Sequence, residues 1–311
     1  MGSPFTIILY SEDSAKAIHI AGQCFQLVDS LIYIFSDYVG NSELNRLCAS
    51  AGTNTAFKCS PALFEILMRS KDAYEKSSGT FDITLGPLTK LWRKARKGKE
   101  FPDHTQIKEK LLLTGFNKIL IDTVKYTATL PQKGMQLDLG GIAQGYIAQQ
   151  AINFIKKQNI ENALVDVSGD IVCIGMPPNT DGWTVAINVP ESEDQFLPNH
   201  LNIANQAVTT SGDVYQYMVH NGKKYSHIIN PSTGYGIISQ RNVTVIAADG
   251  TIADWLTKAC SILSINKAKR LVQSMNAAVL IVEVKNEKMF FHYSKNFEHF
   301  WKSQHPHENQ F

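Results

Sequence analysis

Two adjacent glycines sit between an apolar run and a helical one in Leu137-Asp138-Leu139-Gly140-Gly141-Ile142-Ala143-Gln144-Gly145-Tyr146, and this stretch constrains the fold more than any other. A Gly-Gly pair permits positive φ and close backbone approach. The helix after it opens with N–H groups that lack intrahelical partners, a setting suited to a phosphate. The stretch therefore reads as an apolar strand end that turns through Gly140-Gly141 into a helix carrying Ala148, Ala151, Ile152 and Ile155 on its buried face. Asp138, just before the turn, is placed to cap the helix, to orient a ribose or base, or to bind a metal. Packing alone also produces such turns, so the rest of the chain has to decide.

With 311 residues, 44% hydrophobic and 19% charged, the chain can bury a large core as one α/β domain or two interleaved lobes. Thirty basic against 28 acidic residues give a net charge of +2 with no long basic run, which argues against a nucleic acid partner. Cys24, Cys48, Cys59, Cys173 and Cys260 are scattered, odd in number and without CxxC spacing, so they read as buried small apolar residues rather than a disulfide framework or zinc site. No run reaches the ~18 consecutive apolar residues that span a bilayer, and the start lacks the charged and apolar regions of a signal peptide. The expectation is a soluble chain with no transmembrane segment. Met1-Gly2-Ser3-Pro4 fits a myristoylation pattern and a cloning remnant equally, and a strand beginning at Phe5 suggests that upstream sequence, and any export signal in it, has been removed.

Along the chain, Asp13 or Ser14 caps a core helix with Ala17, Ile18, Ala21, Phe25, Val28, Leu31 and Ile32 at helical spacing. A turn-rich segment then leaves Tyr38 on a loop, either stacking on a planar ligand or lying at the surface. Ser60-Pro61 starts the next helix. Gly79-Thr80-Phe81-Asp82-Ile83-Thr84-Leu85-Gly86-Pro87-Leu88 fits neither period: Phe81 covers a ring or plugs the core, and Asp82 accepts from a ligand or caps the next turn. Arg93, Lys94, Arg96, Lys97 and Lys99 read as a solvated connection. Residues 117–130 read as a hairpin. Asp166-Val167-Ser168-Gly169-Asp170 interrupts an apolar strand with a carboxylate pair, which needs a bound group or a bend. Thr210-Ser211-Gly212-Asp213 is a small polar strand end. Of nine histidines, His227 alone has functional-looking neighbours, a strand before it and Asn230-Pro231-Ser232-Thr233-Gly234 after it. Asp254 shares one face of a helix's first turn with Thr257 at i, i+3 and Lys258 at i, i+4, although the helix dipole alone favours an acid there. The chain closes with an amphipathic helix at 266–275 and a hairpin at 277–293.

Taken in order, residues 1–3, 36–44, 79–88, 137–146, 166–170, 210–213, 227–234 and 253–259 resemble the motifs of the ApbE-type FAD:protein FMN transferases over nearly the whole chain. The resemblance implies a single domain over residues 1–311, an α/β (α+β) two-lobed flavin transferase domain related to the tunnelling fold. It also implies transfer of FMN from FAD to a Ser or Thr hydroxyl of an acceptor flavoprotein with release of AMP, mostly outside the cytoplasmic membrane, periplasmic or anchored by a leader. Within that resemblance Met1, Tyr38, Thr80, Phe81, Asp82, Asp138, Gln144 and Ile228 correspond to FAD contacts and His227 to the catalytic residue. Gly141, through its backbone carbonyl, and Asp254 correspond to the holders of a divalent metal, usually Mg²⁺, and Thr257 is placed beside them to supply a substitute oxygen. Three positions depart from the family pattern: Gln144 stands where many members have Lys or an acid, Gln149 where Asp is usual, and Lys258 where a metal-binding Thr is usual. Lys258 would either weaken or partly replace the metal by pairing with Asp254, or point to solvent and leave Thr257 to complete an ordinary Mg²⁺ site. Two other activities remain open on the sequence, a FAD pyrophosphatase with water as nucleophile and a FAD-binding protein without catalysis.

Overall fold

The computed structural model describes residues 4–188, 190, 195–212, 216–239, 241–285 and 288–303. Seven strands, Phe5–Leu9, Ala163–Val167, Asp170–Ile174, Ala207–Ser211, Arg241–Ala247, Ala278–Lys285 and Lys288–Tyr293, form one antiparallel sheet and lie across it in the same order as along the chain. Among the described residues eight helices follow the sequence as α1 (Ser14–Phe35), α2 (Glu43–Ala49), α3 (Pro61–Lys76), α4 (Gly86–Gly98), α5 (His104–Leu111), α6 (Ala143–Lys157), α7 (Gly250–Ile262) and α8 (Ile265–Ser274).

Side chains alternate between the faces of a sheet, and here the alternation divides the core in two. Val165, Val167, Val172, Ala207, Val243, Val245 and Ile281 meet α1, α6 and α7 on one face. Leu164, Cys173, Val208, Ile246, Leu280 and Val282 meet a three-stranded sheet, Trp183–Asn188, Phe196–Ile203 and Trp301–Ser303, on the other. The mixed α/β class with antiparallel sheets is as the resemblance implied.

Local chemistry accounts for most element starts. Asp13 caps α1, Ser60 caps α3 ahead of Pro61, and Asp249 caps α7, each side chain accepting a backbone N–H of the first turn. By length and composition α1 could cross a membrane, the one such helix among the described residues. Its apolar residues are not consecutive, since Lys16, Gln23, Gln26 and Asp29 interrupt them. Ile20, Cys24, Val28, Leu31 and Phe35 of α1 are nevertheless buried in the core. Four of the five cysteines are buried and all are free.

Several segments differ from the sequence reading. Residues 135–139 pair with no strand; the Asp138 N–H instead donates to the Ile83 carbonyl at 2.7 Å. The hairpin at 117–130 is present but shorter, Leu120–Asp122 pairing Thr127–Thr129, with Phe57–Lys58 added alongside. The carboxylate-flanked kink is a tight hairpin turn: Ser168 and Gly169 both have positive φ (58° and 95°), and Asp166 Oδ1 accepts the Gly169 N–H at 2.7 Å. The basic stretch is not a solvated connection but α4, whose Leu88, Trp92 and Ala95 are buried.

Helices α6 and α7 touch at their glycines. A Cβ on Gly145 would lie 2.1 Å from the Gly250 carbonyl oxygen and 2.7 Å from Asp254 Cβ, and one on Gly250 would lie 2.6 Å from the Gly145 oxygen. The contact is latched both ways, Gly145 N–H donating to Asp254 Oδ2 at 3.1 Å and Gly250 N–H donating to Gln149 Oε1 at 2.8 Å. Gly145→Ala must push the helices apart and should reach or exceed the ~1–3 kcal/mol typical of overpacking. Denaturant unfolding that shows no loss for this variant would remove the close contact.

Candidate functional site

A cleft of about 590 Å³ lies over the N-terminal end of α6. Its walls come from five separated segments: residues 32–39, 80–96, 138–147, 216–229 and 258–262. The floor is the glycine turn. Neither Gly140 nor Gly141 has a positive φ, so the expected conformational need is absent; space is what matters. A Cβ on Gly140 would meet Asp138 Oδ1 at 3.0 Å, and one on Gly141 would meet Lys258 Cγ at 3.1 Å and Phe81 Cε2 at 3.2 Å.

At the start of α6, Ile142 supplies no side-chain cap and Asp254 from α7 takes the Gly145 N–H. Gly140 N–H donates to Asp138 Oδ1 at 2.8 Å. Among the described residues the Gly141 and Gln144 amides have no protein acceptor, and both residues line the cleft. Two unsatisfied donors at a helix N-terminus favour an anion.

Tyr38, Thr80, Phe81, Asp82, Asp138, Gly141, Gln144, His227 and Ile228 all line this cleft, while Met1 and Asp213 lie outside the described residues. The local reading of the 79–88 segment holds, and the segment also lies at the cleft. Asp82 caps a 3₁₀ turn through Thr84 N–H at 2.8 Å, and Phe81 is buried against the core, yet each presents part of itself to the cleft. Burial raises the Asp82 carboxyl above the usual carboxylate range, opposed by its hydrogen bonds from Thr84. Tyr38 is 78% exposed, and the Arg93 guanidinium lies 4.6 Å over its ring.

Arg93 was hidden in the sequence. It pairs with Asp37 and, at 3.0 Å, with Asp138 Oδ2, so a single side chain from α4 fixes the Tyr38 loop against the glycine turn. Arg96, one turn on, faces the cleft and has no ion pair among the described residues; desolvation, then Arg93, lowers its pKa. Leu88, Trp92 and Ala95 at helical spacing could have revealed α4 and hence put both arginines on one element.

His227 follows the strand Lys223–Ser226 and is half-buried. Its pKa is lowered to about 4, first by desolvation and then by the charges of Lys258 and Arg96. The imidazole is therefore neutral near pH 7 and flanked by two cations.

Asp254 and Thr257 are buried beneath the floor. Lys258 Nζ lies 3.1 Å from Asp254 Oδ1, a charge contact outside hydrogen-bond alignment, and donates to Thr257 Oγ1 at 3.1 Å. Burial and then Asp254 push the neighbouring Asp170 carboxyl up, while Thr209 donates to it at 2.7 Å. Mg²⁺ requires near-octahedral oxygens at ~2.0–2.1 Å. The Asp254 oxygen that would lead such a set already faces an ammonium, and no three His, Cys, Asp or Glu of the described residues come together. In this arrangement the set does not fit a divalent ion.

The model of the ApbE family matches residues 1–281. The chain belongs to the ApbE family. It is 32% identical over 259 residues to the FAD:protein FMN transferase of Klebsiella pneumoniae, across 83% of this chain and 78% of that protein. The crystal structure of the apbe protein from Thermotoga maritima superposes with a TM-score of 0.86 at 28% identity, covering 97% of each chain. The Pseudomonas stutzeri flavinyl transferase ApbE, in its apo form, gives 0.83 at 26%, covering 96% of this chain and 94% of that one. Two of the three departures from the ApbE pattern have a visible place here: Gln149 latches α6 to α7, and Lys258 fills the space around Asp254.

Arg93→Ala should cost about 1.5–3 kcal/mol, the scale of a hydrogen bond to a charged group, and free the Tyr38 loop. Arg93→Lys should recover only part, because an ammonium lacks the planar fork that serves two carboxylates. Equal stability of Arg93→Lys and wild type in denaturant unfolding would contradict this role.

Proposed function

We propose that this ApbE family chain is a FAD:protein FMN transferase, moving FMN from FAD to a Ser or Thr hydroxyl of an acceptor flavoprotein. The observation that carries the reading is a neutral imidazole, His227, set between Arg96 and Lys258 in the same cleft as the unsatisfied Gly141 and Gln144 amides. A cleft of this size and mixed lining suits a dinucleotide.

In this proposal the FAD pyrophosphate lies on the Gly141 and Gln144 amides, and Thr80, Phe81, Asp82, Asp138, Ile228 and Met1 contact the cofactor. Tyr38 covers a ring. The acceptor hydroxyl attacks the FMN-side phosphorus, a P–O bond forms, the bond to the AMP phosphate breaks, and AMP leaves with the electron pair. His227 takes the hydroxyl proton. Arg96, Lys258 and the amides stabilise the charge that builds on the phosphoryl oxygens. A single domain over 1–311 and work outside the cytoplasmic membrane are part of the same proposal; fractionation of cells making the full-length protein tests the second.

Incubation with FAD and a candidate acceptor, followed by protein mass spectrometry and AMP assay, separates three activities. An acceptor gaining FMN is transfer, AMP with an unmodified acceptor is hydrolysis, and neither product with FAD bound is plain binding. His227→Ala should lower the transfer rate ~10²–10⁴-fold while FAD still binds. An unchanged rate in that variant takes His227 out of the reaction.

The acid limb offers a second expectation. In the free protein His227 protonates only near 4, because of desolvation and two nearby cations. A bound pyrophosphate offsets those cations and raises the imidazole pKa. The limb in kcat, which reports the complex, should therefore lie at higher pH than the limb in kcat/KM for FAD, which reports the free protein. Coincident limbs would count against this account.

A further inference from the structure

Resting on the transferase reading, we infer that Lys258 is a built-in cation standing where a divalent metal would otherwise sit, so that FAD binding by this chain needs no divalent metal. Asp254 and Thr257 both contact this one side chain, which also runs beside Gly141. Its stem passes the glycine turn closely enough that a Cβ on Gly141 would lie 3.1 Å from Lys258 Cγ. Its ammonium sits 3.1 Å from Asp254 Oδ1 and 3.1 Å from Thr257 Oγ1.

Coordination numbers separate the two kinds of cation. Thr257 Oγ1 donates its proton to the Asp254 carbonyl at 2.7 Å, so its lone pairs are turned to the ammonium. Mg²⁺ would need near-octahedral oxygens, completed by waters or substrate phosphates, around Asp254 and Thr257 oxygens that already face the ammonium, whereas a lysine has three donors and needs no fixed geometry. One of those donors is spent on Thr257, and Asp254 Oδ1 is held by charge rather than by an aligned hydrogen bond. The ammonium thus keeps a donor for an anion. Lys258 is also part of the cleft wall, with its side chain 21% exposed, while Asp254 is 1% exposed behind it. A ligand arriving from the cleft meets the cation first.

Asp254 itself has another employer in the fold, the Gly145 N–H at the start of α6. Lys258 compensates the carboxylate's charge permanently, without a metal to load.

The test titrates FAD into the wild type by flavin fluorescence, once in EDTA and once in millimolar Mg²⁺, with calorimetric titration of Mg²⁺ alone into the protein alongside. The expected result is an FAD dissociation constant that differs by less than about threefold between the two conditions, with no saturable heat from Mg²⁺ at micromolar concentrations. Lys258→Thr should then weaken FAD binding in EDTA at least tenfold and regain it in Mg²⁺. FAD binding by the wild type that collapses in EDTA and returns with micromolar Mg²⁺ overturns the inference while leaving the transferase reading intact. Absence of FAD binding under both conditions overturns both. If Lys258→Thr does not fold, the wild-type pair of titrations decides alone.

Discussion

The structure turns on one buried carboxylate. Asp254 belongs to α7, yet one of its oxygens accepts the Gly145 N–H of α6 and the other faces Lys258. A carboxylate at a helix N-terminus is favoured by the unsatisfied amides and the dipole there, but a buried one without compensation is costly. Lys258 supplies that compensation from the next turn of the same helix. The paired contact also requires α6 and α7 to approach at Gly145 and Gly250, where no other side chain fits. Because the cleft sits on the start of α6, its floor is only as well placed as this contact.

A second set of charges fixes the opposite wall. Arg93 holds Asp37 and Asp138 at once, tying the loop after α1 to the turn before α6. Arg96, on the same helix, has no ion pair among the described residues and faces the cleft. Positive charge is therefore sorted by one turn of α4 into a structural residue and an available one. Burial first, and then the charges of Lys258 and Arg96, keep His227 neutral.

Much of this was legible in the sequence, for identifiable reasons. The caps at Asp13 and Ser60, the periodicity of α1 and α3, and the closing hairpin are local signals, and the elements follow them. The glycine turn announced a close approach, although its reason proved to be space beside Lys258 and Phe81 rather than positive φ. Arg93 and Arg96 were missed because charge clustering drew attention away from Leu88, Trp92 and Ala95 among them. The kink at Ser168-Gly169 was noticed, but its explanation as a hairpin depends on strand pairing, which a single sequence does not display. Gln149 looked like a lost ligand and is a helix latch, since its partner Gly250 lies about a hundred residues away.

The order of the central sheet carries a consequence for biosynthesis. Its seven strands neighbour one another in the sequence in which they leave the ribosome, so the sheet can grow strand by strand during translation. The cleft cannot. Its walls reach from residue 32 to residue 262, and its floor waits on a contact between Gly145 and Asp254 that spans 109 residues. A nascent chain thus has most of its scaffold before it has any place for a nucleotide, and the site closes only when α7 docks. Truncated products that end before α7 would carry the sheet's first strands and the loop residues of the cleft, yet be blind to the dinucleotide.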